Sequence, residues 1–453
     1  MVRDQLSEAL KGHQADYIEI RAETGEVSLI SLRGPRVDEV TRASSRGGNV
    51  RARVGGGWGF VSFNTLDGLR DKVALAVTQA RVVNRGEANF APAEPVVDSV
   101  PLEMTKDPAS IPFAAKKQLL DEYNDLILAS PRIQTTSVGY SDSRKTVTFC
   151  NTEGSFIEQA RVDVSLRVAA VARQGNEVQQ IGRSLGSKGD YSVVEGRHQQ
   201  VRDMAERAAD LLDAPKVEAG EYTVVLDPIL AGVFTHEAFG HLSESDHVYE
   251  NQKLREMMQL GTRFGGEHLN IVDGAAVPGL RGSYKYDDEG VRAKRTYLIH
   301  EGVLVGRLHS RETAAVMGEE PTGNARAVSY LFPPIVRMTN TFIEPGQASF
   351  EDMIKDVKLG VYAREWYGGT TSLEMFTFSA GEAYMIRDGK VAEMVRPVTL
   401  SGNVFTTLGN IDVIGNDLDM NQGGGCGKQD QSPLPVSNGS PHIRIRRCLV
   451  GGR

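Results

Sequence analysis

Thr235-His236-Glu237-Ala238-Phe239-Gly240-His241 sets two imidazoles, able to hold a metal ion, beside a carboxylate able to take a proton from an activated water. In the common zinc-helix pattern H-E-x-x-H the histidines stand four positions apart and share one helix face. Here the interval is five. At about 100° per residue, regular helical geometry would put His236 and His241 roughly 140° apart, too far round to share an ion. Either the helix loosens at Gly240 or it carries a one-residue π-bulge, which absorbs the extra position and restores the common face.

A His-Glu pair is often a surface accident, but the flanks argue otherwise. Asp227-Pro228 reads as a helix start, an N-cap acceptor followed by proline in the first turn. Ile229, Leu230, Val233 and Phe234 then form an apolar face at helical spacing. The motif is therefore expected on a buried helix that follows the strand Tyr222 to Leu226.

The chain of 453 residues exceeds one ordinary core, so two or three domains are expected. Hydrophobic content of 40% and charged content of 24% are those of a globular protein, and no run approaches 18 apolar residues, so no membrane span is expected. Met1-Val2-Arg3-Asp4-Gln5 opens no secretory apolar region, which points to the cytoplasm. Three widely spaced cysteines, Cys150, Cys426 and Cys448, form no disulfide framework. A net charge of -8 argues against a nucleic-acid partner.

Residues 4–12 read as a short helix. Period-two segments follow at 17–21, 27–30, 37–40, 51–54 and 58–63, an antiparallel meander with glycine turns. Leu66 to Val82 and Phe113 to Leu128 are amphipathic helices, joined by a proline-rich extended connection over 86–112. Strands are expected over 135–140, 146–150, 155–172 and 177–181, then a helix over 195–212. A linker at 215–220 marks the expected boundary between 1–215 and 216–453. The fold class is α+β, with N-terminal helices on antiparallel sheet and a β-rich C-terminal part that carries the metal-site helix. There Tyr249 to Leu260 reads as a further helix. Two hairpins, 297–304 and 384–391, echo each other.

A catalytic zinc takes three protein ligands and leaves one position open. For the third, the sequence offers Glu244, Asp246, His247, His268 and Cys426. Glu244 lies three residues past His241, where it could also orient that imidazole from outside the ligand set. Cys426 has glycines at 423, 424, 425 and 427, which let the backbone bring a thiolate close to another element. An isolated cysteine is also commonly just a small buried apolar residue.

Taken together, His236-Glu237-x-x-Gly240-His241-x-x-Glu244-x-Asp246 resembles the signature of the TldD/PmbA peptidases, in their TldD-like branch. The resemblance continues in Asp287-Asp288-Glu289-Gly290-Val291 and Arg337-Met338-Thr339-Asn340-Thr341. It extends to Gly368-Gly369-Thr370 with Phe378-Ser379, and to Cys426-Gly427-Lys428 with Pro435-Val436-Ser437. Gln429-Asp430-Gln431 departs from that pattern, which has a glycine before the second glutamine; the difference bears on local loop shape. The resemblance implies a cytoplasmic zinc metallopeptidase of two domains, with one Zn²⁺ per chain held by His236, His241 and Cys426 and with Glu237 as general base. It also implies short or unfolded peptides as substrates and two subunits around an enclosed cavity, as a homodimer or with a sibling chain lacking the metal motif. Arg337, Asn340 and Lys428 are candidate substrate contacts, or else make structural hydrogen bonds. The competing reading is a non-catalytic peptide-binding or assembly subunit with a structural zinc; hydrolysis of a non-peptide amide is a third. Glu237 separates the first two, because a structural site needs no base and is usually closed by a fourth side chain.

Overall fold

The computed structural model describes residues 2–84, 86 and 89–452. With 23% helix and 45% strand, the protein is α+β. Its N-terminal half is a seven-stranded sheet in the order Gly57–Phe63, Arg36–Val54, Tyr17–Arg33, Ile133–Asn151, Phe156–Gln174, Val97–Val100, with Glu177–Ser187 also paired to Phe156–Gln174. Val162, Val164, Leu166, Val168, Ala170 and Ala172 alternate inward along one strand, as a half-buried pleat requires. Leu120, Tyr123 and Ile127 of the helix Phe113–Leu128 and Val201, Met204 and Ala205 of the helix His198–Asp210 pack in the same apolar cluster. At the other end, Leu69, Val73 and Ala76 of the helix Leu69–Val82 cover Ile18, Ile20, Val50 and Ala52.

The strands are longer than their composition suggests. The segments expected at 17–21 and 27–30 are one strand, Tyr17–Arg33, and those at 135–140 and 146–150 are one strand, Ile133–Asn151. Their ladder runs unbroken from Glu19↔Asn151 to Arg33↔Ser137. The polar stretch Ser141-Asp142-Ser143-Arg144-Lys145 was expected to be a turn, yet it stays in the ladder because ion pairs satisfy its charges. The buried Lys116 ammonium lies 2.6 Å from Asp142, and Lys145 lies 3.3 Å from Glu23.

The C-terminal half holds a sheet that closes on itself. The strands run Leu359–Ser372, Gly220–Leu226, Ile443–Gly452, Val398–Asn403, Met375–Arg387 and back to Leu359–Ser372, so the ring hides its own edges. A six-stranded sheet lies against it, with Ile271–Gly274, Asn340–Ile343 and Ser437–Ser440 at its centre. Between the two sits the helix Pro228–Phe234, buried from Leu230 to Phe234, which is why its sequence is apolar nearly all round. Phe234 meets Phe376 and Phe378 edge-on at 5.3 and 6.1 Å between ring centroids. Each such pair adds about 0.5–1.5 kcal/mol beyond its buried area. Gly232 allows the helix its close approach: a Cβ there would come within 2.8 Å of the Asn438 carbonyl.

The helix expected over Tyr249 to Leu260 is two short ones, Ser245–Glu250 and Gln252–Met257, because Asn251 is extended and caps the second. The two echoing hairpins share a turn, with both central residues left-handed at Glu301-Gly302 and Asp388-Gly389. Their likeness is turn chemistry. Among the described residues no helix is long and apolar enough to cross a membrane.

Candidate metal centre

The helix begins as its sequence suggests, with the Asp227 carboxylate accepting from the Leu230 amide at 2.9 Å and Pro228 in the first turn. It continues directly into a π-helical turn over Thr235–Gly240. That turn absorbs the extra residue of the five-residue interval. The His236 and His241 rings stand on one side, 5.2 Å between centroids and nearly perpendicular at 80°.

Gly240 lets the turn pack against Met338. A Cβ at that position would lie 2.1 Å from Met338 Sδ. Gly240→Ala should therefore destabilise the fold by about 1–3 kcal/mol, the usual cost of overpacking a filled interior. Urea unfolding measures it, and the increment due to Gly240→Ala should be smaller in a Met338→Ala background, where the clashing side chain is gone. An unchanged midpoint in Gly240→Ala would show that the contact carries no such constraint.

The third donor arrives from the far end of the chain. Gly425–Lys428 pairs with Gln431–Pro435 in a two-stranded hairpin, with Cys426 opposite Leu434. The turn holds Gln429 left-handed at φ 52°, next to Asp430, where the family pattern has glycine. Cys426 Sγ lies 3.7 Å from His241 Nε2, and the donor atoms of His236, His241 and Cys426 all fall within 4.8 Å of one another. Both ring nitrogens of His236 are buried without a hydrogen-bond partner. Such orphaned nitrogens are costly unless something binds them, and a tetrahedral ion favouring nitrogen and sulfur fits this donor set. Burial raises the Cys426 thiol, but the adjoining His236 and His241 outweigh it and bring it down to about 5, so the sulfur is a thiolate at neutral pH.

Glu244 supports His241 from behind. Its Oε2 lies 3.0 Å from His241 Nδ1 and 3.1 Å from Lys428 Nζ, while Oε1 accepts from the Met338 amide at 3.2 Å. Holding Nδ1 leaves Nε2 turned towards Cys426. Against its burial, Lys428 and His241 keep Glu244 well below the usual carboxylate range, and against its own burial Glu244 and Cys426 raise His241. Glu237 is half-buried on the same turn, its Oε2 3.8 Å from His241 Nε2.

The other third-ligand candidates are elsewhere. Asp246 pairs with Lys428 at 2.6 Å, His247 is exposed, and His268 Nε2 bonds the Ile411 carbonyl at 2.9 Å. Of the two readings left open for Arg337, Asn340 and Lys428, the side chains follow the structural one. Arg337 is fully buried and donates to the carbonyls of Cys426 and Gln431 at 2.7 and 3.1 Å. Asn340, equally buried, bonds the Gly274 carbonyl and Ser283. Lys428 is enclosed between Glu244, Asp246 and the Val336 carbonyl. These side chains brace the Cys426 hairpin and the neighbouring sheet from within, with no face left for a substrate. Sequence reading missed Met338, whose side chain meets Gly240 and whose amide meets Glu244; its place within the 337–341 motif was the one available signal.

Three family models cover the chain. The PmbA/TldA metallopeptidase C-terminal domain matches residues 219–452, the central domain 106–213, and domain 1 18–80. The chain belongs to the PmbA/TldD metallopeptidase family. This PmbA/TldD protein is 50% identical over 441 residues to a metalloprotease of Synechocystis sp., covering 97% of this chain and 95% of the relative. It is 35% identical over 325 residues to the zinc metalloprotease TldD homolog of Saccharolobus solfataricus, covering 71% of this chain and 72% of that one. Its fold matches the crystal structure of TldE from Thermococcus kodakarensis at a TM-score of 0.74 and 18% identity, across 100% of both chains.

Proposed function

We propose that this protein is a zinc-dependent peptidase acting on short or unfolded peptides. The observation that carries the reading is the convergence of His236, His241 and Cys426, with the His236 nitrogens buried and unpartnered, beside a half-buried Glu237. A zinc ion held by those three side chains would supply Lewis acidity, acidifying a water and polarising the scissile carbonyl. Glu237 takes the proton at its carboxylate and delivers it to the leaving amine. Glu244, pinned by Lys428 and the Met338 amide, keeps His241 in one tautomer. The thiolate of Cys426 carries one negative charge to the ion, which lowers its acidity relative to a site with three neutral imidazoles.

The alternative, a structural zinc in a non-catalytic subunit, needs a fourth protein ligand. Among the described residues the cluster has three members, and a carboxylate stands beside it, which favours catalysis. The name of the Saccharolobus relative supports zinc as the metal. The fold shared with TldE supports pairing with a chain of the same architecture, a second copy or a sibling. We also propose that 1–215 and 216–453 are separate units. The large apolar cluster from Val217 to Val450 draws its buried residues from one side of that point and the two clusters from Leu6 to Ala214 draw theirs from the other, while a small cluster of Phe149, Ile157 and Tyr286 joins the two sides.

Metal analysis before and after chelation, with digestion of an unstructured peptide at each stage, tests the reading. One zinc per chain and cleavage that disappears on chelation and returns with zinc are expected. Cleavage that persists after the metal is gone would sink it.

A further inference from the structure

A cavity of about 430 Å³ lies between the N-terminal sheet and the hairpin that carries Cys426. Its wall presents Lys145, Arg161, Arg167, Lys188, Arg281 and Arg326 against one lining carboxylate, Asp163. Asp163 is already matched by Arg281, with 2.8 Å between Oδ2 and Nη2. Behind the wall, Arg21, Lys145 and Arg161 share Glu23 and Asp288. Those two carboxylates cannot balance three cations, and of the rest Lys188 has only Glu103 acting on it and Arg326 only the already shared Asp288.

Arg326 is the clearest case. It is 3% exposed, its Nη atoms reach only the carbonyls of Met338 and Pro435 at 2.6 and 2.8 Å, and its Nε is buried without a partner. Arg161 Nε is likewise orphaned. Both guanidiniums lie over Tyr284, at 4.7 Å for Arg161 and 5.5 Å for Arg326, which fixes their planes without neutralising them. Among the described residues, the side chains of half-buried Lys188 and exposed Arg167 make no hydrogen bond or ion pair. Burial lowers Lys188 from its ordinary range, Glu103 opposes the shift, and Arg161 adds to it. A surplus of cations lining one cleft, several of them desolvated, is unfavourable until an anion joins it.

We infer that this cavity is a carboxylate subsite for the peptide, receiving either its free C-terminus or an Asp or Glu side chain. The inference rests on the peptidase reading for the nature of the ligand. Its link to the metal centre is the hairpin itself. Gly424, Gly425 and Leu434 line the cavity, and Cys426, next along the strand, meets His241. The cavity and the metal centre thus share one hairpin. Planar guanidiniums suit a carboxylate because they can grip both oxygens.

The test uses full-length Glu237→Gln protein, so that binding is read without turnover. Four labelled unstructured peptides of one parent sequence are compared: C-terminal acid or amide, each with internal Asp/Glu or Asn/Gln. Neutralising one of the two kinds of carboxylate should raise Kd about 10- to 100-fold, the worth of one or two charge-assisted hydrogen bonds. The arm that responds names the source. Lys188→Glu, and separately the exposed Arg167→Glu, should shrink that ratio towards one while leaving Kd for the fully neutral peptide unchanged. Equal Kd values across the four peptides overturn the proposal, as does an undiminished preference in both charge-reversal variants. Wild-type protein that shows the preference but never cleaves would remove the peptidase reading and leave the subsite standing. Cleavage without any preference would do the opposite.

Discussion

Glu237→Gln should lose peptide cleavage by about 10²- to 10⁴-fold while keeping one zinc per chain. That loss corresponds to about 3–5 kcal/mol in the barrier. The side chain is isosteric and half-buried, so the fold should not notice the change. It is also not one of the three converging donors, so metal content should not change either. What disappears is a basic oxygen, 3.8 Å from His241 Nε2, able to take a proton and return it to the leaving amine. The measurement is kcat/KM on an unstructured peptide beside zinc stoichiometry on the same preparation. Cleavage near the wild-type rate would remove Glu237 as the base. Loss of zinc along with activity would instead make it a ligand.

Cys426→Ser should release the metal. A ligand's outer partners are typically worth 10- to 100-fold in metal affinity, so removal of the ligand itself should cost more than about 100-fold. The thiol, brought down to about 5 by its two imidazole neighbours, is a soft anionic donor at neutral pH. A buried serine hydroxyl would stay protonated in the same place. Competition against a chelator reads the affinity, and circular dichroism checks that the hairpin still folds. Zinc retained at wild-type affinity would take Cys426 out of the ligand set, and with it the reason for the glycines at 423, 424, 425 and 427.

The metal helix was legible because its information is local. An N-cap, a proline, an apolar face and a five-residue histidine interval lie within fifteen residues, and the interval itself called for a distortion, which is the π-helical turn over Thr235–Gly240. The strands were legible in kind but not in length. Period-two patterning stops where Ser141 to Lys145 become polar, whereas the ladder continues, because Lys116 and Glu23 arrive from other elements to satisfy those charges.

By itself, then, the sequence determined the two imidazoles, their adjoining carboxylate and the distorted turn they require, since all depend on neighbours along the chain. Tertiary structure alone decided what meets them. Cys426 stands 185 positions from His241 and reaches it on a glycine-rich hairpin braced by Arg337 and Lys428, residues that the sequence left open between substrate contact and structural hydrogen bonds. The cationic cavity is more extreme, for its wall joins strands of the N-terminal sheet to Arg281, Arg326 and the Cys426 hairpin. Charge surplus of that kind comes from distant elements meeting at one cleft, and no spacing along a chain encodes it.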